Sequence, residues 1–396
     1  MKLFLAGCVF IGYFVHVLLA NQKGCSFSVH GKIEQKSPIL LQNDSSLILP
    51  SKGKIHLKNR EIITLLCPDS NNYLIGIQSN ATYAQCIRGK TLRVGNRDVN
   101  FHDLQCKHTI RGMVSKTTKK YGNNQGRIYR IGYQLSSRHF ITLIAVCYDS
   151  NIDSVLYTEH FLHGQDVRHA SKSSYRPSFR TEAAAVAVSV AYKQAFQKST
   201  FNKLLRSSRL AQVYINDNSF LVRGQLSPDA DFLFAATQYI SYYYINTVPQ
   251  WQAISEGNWR RIEAMVRKVA DYLQETLIII TGTHQVLTLP DYNGDEREIY
   301  LIADRKLPVP KFIWKAVYSK KSKKAVVLVS LNNPFTPGIG KNDFLCESIC
   351  DQVGWGSLSW ADYERGFVHC CDYGEFAAEV GTAPKLAVVG VLHGPK

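Results

Sequence analysis

Between residues 251 and 275, apolar side chains recur at helical spacing: Ile254, Trp259, Ile262, Met265, Val266, Val269, Tyr272 and Leu273. That period predicts one long amphipathic helix from Trp251 to Glu275. An Ala/Val-rich run opens a second predicted helix, Thr181 to Leu205. Around them lie apolar runs of strand length: Phe140 to Asp149, Thr276 to Thr281, Ile299 to Ala303, Phe312 to Tyr318 and Ala325 to Leu331. A further strand, Phe220-Leu-Val, runs out into Arg223-Gly224-Gln225. Strands beside a few long helices, without steady alternation, predict an α+β layer fold. Residues 21 to about 135 read differently, as short strand-like pieces such as Tyr73 to Gln78 among Gly and Asn turns. The basic stretch Lys116 to Arg130 reads as an exposed loop.

The start of the chain is not part of this pattern. Lys2 precedes an apolar run from Leu3 to Ala20, followed by polar Asn21-Gln22-Lys23. This predicts a secretory signal cleaved near Ala20. The division expected is therefore 1–20 signal, 21–136 β-rich N-terminal domain and 137–396 larger α+β domain. No later run is apolar over a bilayer's width, so no membrane association is expected after cleavage.

A composition of 45% hydrophobic and 20% charged residues over 396 positions excludes a disordered, collagenous or coiled-coil chain. The formal net charge is +16, which makes a polyanion a natural partner. The cations cluster. Six lie between Arg111 and Arg130 with no acid among them. Nine lie between His160 and Leu210, including Arg168, Lys172, Arg176 and Arg180. Lys315, Lys320, Lys321, Lys323 and Lys324 form a third run, which reads mainly as a solvated surface.

Ten cysteines in a secreted chain predict disulfides. Cys8 leaves with the signal, so nine remain and one thiol is left over. Neighbours Cys370 and Cys371 are poorly placed to bridge each other, so each is expected to pair with Cys346 or Cys350. The rival for these four is a tetrathiolate zinc site. Asn43-Asp-Ser and Asn80-Ala-Thr are N-glycosylation sequons.

An ordered set of blocks then carries a resemblance. They are Phe220-Leu-Val-Arg-Gly-Gln-Leu-Ser-Pro-Asp-Ala-Asp-Phe232, Tyr244-Ile-Asn-Thr-Val-Pro-Gln-Trp-Gln252, Gly257-Asn-Trp-Arg-Arg-Ile-Glu263, Thr281-Gly-Thr-His284, Pro308-Val-Pro-Lys-Phe-Ile-Trp-Lys315 and Asn332-Asn-Pro334. In order and spacing the chain resembles the DNA/RNA non-specific endonucleases of the ββα-metal type, in their secreted insect branch. The resemblance implies a mainly antiparallel sheet flanked by helices, extracellular residence in saliva, and DNA and RNA as partners.

It also implies a damaged site. Where the family carries a general-base His, this chain reads Val222-Arg223-Gly224-Gln225. A carboxamide does not titrate near neutral pH, and losing general-base catalysis costs roughly 10²–10⁴-fold. Where the family's Asn binds a hydrated Mg²⁺, the count from Asn246 arrives at Ser255, a poorer ligand. Glu256 and Asn258 are the neighbouring candidates for holding metal. Arg223, Asn246 and Glu263 match further family site positions, Asn246 being also a candidate for holding the metal or its water shell, and Arg223 and Arg260 join the phosphate-contacting candidates. Asp231 is expected to tie down its loop. His160, His163, His169 and His284 are the possible substitute bases, and Tyr239, Tyr242, Tyr243 and Tyr244 are expected to pack beneath the site. Three functions follow: a nucleic-acid binder with catalysis lost or very weak, a weak Mg²⁺-dependent endonuclease, or a secreted polyanion- or host-protein-binding module.

Overall fold

The computed structural model describes residues 24–28, 34–43, 45–69, 71–121, 126–136, 138–172, 175–336 and 338–395. The predicted signal lies outside them. The molecule is built on a nine-stranded, mainly antiparallel sheet. Eight of its strands follow in spatial order: Val368–Cys371, Lys324–Leu331, Pro310–Ser319, Thr276–Val286, Ser154–His163, His139–Asp149, Gly126–Ser136 and Met113–Tyr121. The short strand Gly390–Val391 adds in parallel to Lys324–Leu331.

The middle of this sheet is covered on both sides. Pro310–Ser319 and Lys324–Leu331 are buried along almost their whole length, which is why they read as continuous apolar runs. Ile313, Val317 and Leu328 face the long helix through Ile262, Val266 and Val269. Phe312, Trp314, Ala316 and Val327 face the opposite way, onto Phe376 of the helix Tyr373–Val380. A second, six-stranded sheet is formed by residues 39 to 100. Its core, with Phe27 stacked on Phe101 at 4.2 Å between ring centres, is continuous with the helix-bearing core of the large sheet.

Among the described residues, four disulfides brace the fold. Cys25–Cys86 and Cys67–Cys106 staple the smaller sheet. Cys346–Cys371 and Cys350–Cys370 use all four late thiols, so the tetrathiolate zinc reading does not apply. Cys147 is the free thiol among the described residues, and burial pushes it up to about 12.

Three local expectations are corrected. Lys116 to Arg130 is no loop: its described residues lie in the edge strand Met113–Tyr121 and its neighbour Gly126–Ser136, both in the large sheet. Lysines along an exposed edge block pairing with another chain, and that same charge disguises the strand. Tyr73 to Gln78 is not a strand but a turn in which Gly76 takes φ +84°. The helix expected over 181–205 is two, Val186–Ala191 and Gln194–Leu205, broken where Lys193 turns extended. Buried Gln197 anchors the second helix. Its amide donates to Tyr192 O and Leu221 O and accepts from Leu221 N, tying the second helix to the strand that leads into the site.

Candidate functional site

Leu221–Gln225 pairs antiparallel with Thr247–Trp251, and the chain then enters the long helical segment. Two strands and a helix thus form one ββα unit. Asn246 holds its turn together. Fully buried, it donates to Ser227 O at 2.9 Å and Ser241 O at 2.8 Å, and accepts from Ser227 N at 3.0 Å. Gln225 donates to the same Ser241, at 3.2 Å to the carbonyl and 3.1 Å to the hydroxyl. Its amide nitrogen is therefore committed, and its carbonyl oxygen is the part left to face a ligand.

The helix predicted from Trp251 has an irregular first part. Gln252–Ile254 is followed by a π-type turn over Ser255–Trp259, and regular helix runs from Arg260 to Leu273. Such turns are frequent at functional sites. Gly257 breaks the helical path with ψ −121°. A Cβ there would lie 2.7 Å from the carbonyl oxygen of Arg365, so the close approach of the 357–366 loop requires glycine. Asn258 clamps that loop from below, donating to Ser359 O at 2.6 Å and Gly366 O at 2.8 Å while Arg261 donates to its oxygen at 3.0 Å. Ser255 is half-buried, and exposed Glu256 accepts from Gln252 at 3.3 Å. Asn246 and Asn258 therefore spend their amides inside the protein. Ser255 and Glu256 present the remaining oxygens at the helix start.

Beneath the site lies a buried charged network that the sequence left in pieces. Asp231 accepts from Arg267 at 2.8 Å and lies 2.9 Å from Nε2 of His160. Nδ1 of His160 lies 2.9 Å from the Ser227 hydroxyl. Burial alone would raise the Asp231 pKa, but the His160 hydrogen bond and the Arg267 charge outweigh it and hold the carboxyl at about 2. Burial lowers His160, opposed by Asp231. Lys315, read from sequence as part of a solvated run, is fully buried. It donates to Thr281 Oγ1 at 2.6 Å and Leu226 O at 3.3 Å and sits 5.3 Å from the Trp259 ring centre. Burial pushes Glu263 up to about 7, with the Lys315 charge working against the rise. The pairing of Lys315 with strand-like neighbours in an apolar run was the available signal for its burial.

The cations divide. Arg223 is exposed, yet its guanidinium rests 5.4 to 5.8 Å from the ring centres of Phe179, Tyr192 and Tyr244. Three rings make it a rigid positive group beside Gln225. Arg180 donates to Gly112 O and the Tyr243 hydroxyl and pairs with Glu182. Arg176 pairs with Asp229 at 3.2 Å. Arg176, Arg180 and Arg223 thus converge on the Tyr242–Tyr244 stretch, whose rings are buried together with Tyr239. Lys172 and Arg260 are exposed. Arg168 instead pairs with Asp271, near the far end of the long helix. Of the remaining histidines, His163 lies against Thr276 and His284 stacks on Phe312. Among the described residues, no hydrogen bond joins Gln225 to an imidazole.

The chain is similar to known proteins over most of its length. The DNA/RNA non-specific endonuclease family matches residues 124–375. A salivary endonuclease of Lutzomyia longipalpis is 32% identical over 90% of this chain and 83% of its own length. The salivary protein Tsal2A of Glossina morsitans morsitans is 25% identical over 98% of this chain and 99% of its own. Among solved structures, EndoG in its complex with EndoGI has a TM-score of 0.39 at 13% identity, covering 63% of this chain and 88% of that one.

Proposed function

The chain belongs to the DNA/RNA non-specific endonuclease family, and on that premise we propose that it is a secreted, sequence-non-specific nucleic-acid-binding protein whose hydrolytic activity is lost or very weak. The observation that carries this reading is Gln225. We read it as standing where the family's base stands, and a carboxamide tied through nitrogen to Ser241 takes no proton from water. A carboxamide oxygen can still orient a water molecule, which is the route left for residual cleavage.

The metal position supports the same reading. A hydrated Mg²⁺ site of this kind needs a well-placed amide or carboxylate oxygen. The neighbouring amides are committed elsewhere, Asn246 through three hydrogen bonds to Ser227 and Ser241 and Asn258 through four to Ser359, Asp362, Gly366 and Arg261. Ser255 offers a half-buried hydroxyl in place of an amide, and the Glu256 carboxylate is exposed and taken up by Gln252, so we read metal binding as weakened and assign no step to the ion. Binding is a separate matter. Arg223, Arg176, Arg180, Lys172 and Arg260 supply cations along the site, and phosphate contacts give affinity without sequence preference.

The test compares the native protein with its Gln225→His, Ser255→Asn double variant, with and without Mg²⁺. Both are expected to bind plasmid and RNA, and only the variant to cut. Mg²⁺-dependent cutting by the native protein, abolished by chelation, would overturn the loss of catalysis. Failure of either protein to bind at low salt would overturn the binding reading.

A further inference from the structure

An apolar cleft of about 400 Å³ opens between the smaller sheet and the end of the large one. Leu47 and Leu49 form one wall, and Leu143, Phe161 and Phe234 the other. Phe161 is 48% exposed and Leu49 is 38% exposed. Outward-facing apolar groups this close together are a liability in a protein released into dilute fluid, unless something covers them. The cleft's polar lining is hydroxyl groups and His163, with no charged side chain. Its occupant should therefore be neutral, with one apolar side and several hydroxyls.

The chain supplies such an occupant. The strands Ile39–Gln42 and Ser46–Leu47 are joined by a tight turn in which Ser45 N bonds to Gln42 O at 3.2 Å. Asn43 is exposed at its tip, with φ +51°, a conformation asparagine tolerates. Asn43 is the acceptor of the sequon completed by Ser45, and Ser45 and Ser46 themselves line the cleft. Two residues of chain span at most about 7 Å, less than the reach of the first two sugars of an N-linked glycan. The C–H face of an N-acetylglucosamine ring is apolar and flat, and its rim carries hydroxyls, which match Phe161 and the hydroxyl lining. Asn43 is not itself a lining residue but stands two residues from one, whereas Asn80, also exposed, has no lining residue near it in sequence.

We propose that Asn43 is N-glycosylated and that the first sugars of its glycan lie in the cleft against Phe161, closing the apolar seam between the two sheets. This goes beyond nucleic-acid binding and rests on the secretory reading of residues 1–20. The test uses full-length protein secreted from insect cells. Peptide mass spectrometry should find a glycan on Asn43. Enzymatic deglycosylation of the folded protein should then raise the fluorescence of a hydrophobic dye several-fold. Asn43→Gln should start at that higher level and rise no further on the same treatment, while Asn80→Gln should behave as native. A chain glycosylated at Asn80 but bare at Asn43 overturns the inference alone. A chain bare at both overturns it too, and a chain that never reaches the medium overturns the secretory reading with it. A glycan on Asn43 whose removal leaves dye binding unchanged overturns its place in the cleft.

Discussion

Asp231 shows how much of the site depends on one buried carboxylate. It is 2% exposed and joins His160 to Arg267. Removing one partner from such a group leaves an uncompensated charge, so Asp231→Asn should destabilise the fold by roughly 3–5 kcal/mol, read by denaturant unfolding. The acid response has a definite sign. Asp231 is held at about 2, below the ordinary 3.8, so its stabilisation is complete above pH 3.8 and is lost as pH falls toward 2. His160, lowered by burial, acts earlier: its contribution falls away as pH drops below the free value of 6.5. Glu263 opposes His160 between pH 7 and 4.5, so melting temperature should fall most clearly from pH 3.8 toward 2, and Asp231→Asn should flatten that fall. Glu263 runs the other way. Raised to about 7 by burial, it favours the fold most below 4.5 and loses that contribution as pH climbs through 7.

At the scale of elements, the decisive feature is the interrupted helix start. Periodicity from Ile254 to Leu273 announced one helix, because the apolar positions on either side of Gly257 share a face. The interruption comes from outside the helix, from the loop whose Arg365 carbonyl occupies the space a Cβ would fill. No local pattern carries that information. Gly257→Ala should therefore displace the 357–366 loop, and Asn258→Ala should free it by removing its backbone anchors. Hydrogen exchange within 357–366 should quicken in both, at a stability cost on the order of 1–3 kcal/mol for the unmade bonds. Unchanged exchange would detach the loop from the helix start. The same contrast explains what was legible. The Arg223–Gln225 strand, the long helix and the central strands were readable from period and length. The edge strand bearing Lys116, Lys119 and Lys120 and the split at Lys193 were not, because they depend on pairing and packing with distant residues, and the apolar run around Lys315 was outweighed by the lysines that follow it. The Ser227–His160–Asp231 chain was hidden likewise, since the sheet assembles it from separate segments.

For the whole molecule, a charge of +16 states only that anions are attracted. The structure divides that charge into groups with different work. Arg168 lies beside Asp271 near the far end of the long helix, and Lys315 is buried, so neither is placed to neutralise phosphate beside Gln225, whereas Arg176 and Arg180 would exchange Asp229 and Glu182 for phosphate. Arg223 is exposed and held by three rings, the arrangement best suited to doing so. If about five phosphates are neutralised, log affinity should fall with log salt at a slope near −4.5, or several hundred-fold between 50 and 200 mM. Arg223→Ala should weaken binding to all sequences alike and make that slope shallower by about one. Arg168→Ala should change it little. A slope near zero in the native protein would mean that its positive charge serves something other than nucleic acid. A steep slope unaffected by Arg223→Ala would place the binding surface elsewhere, with the Lys116–Lys120 edge strand the next to be neutralised.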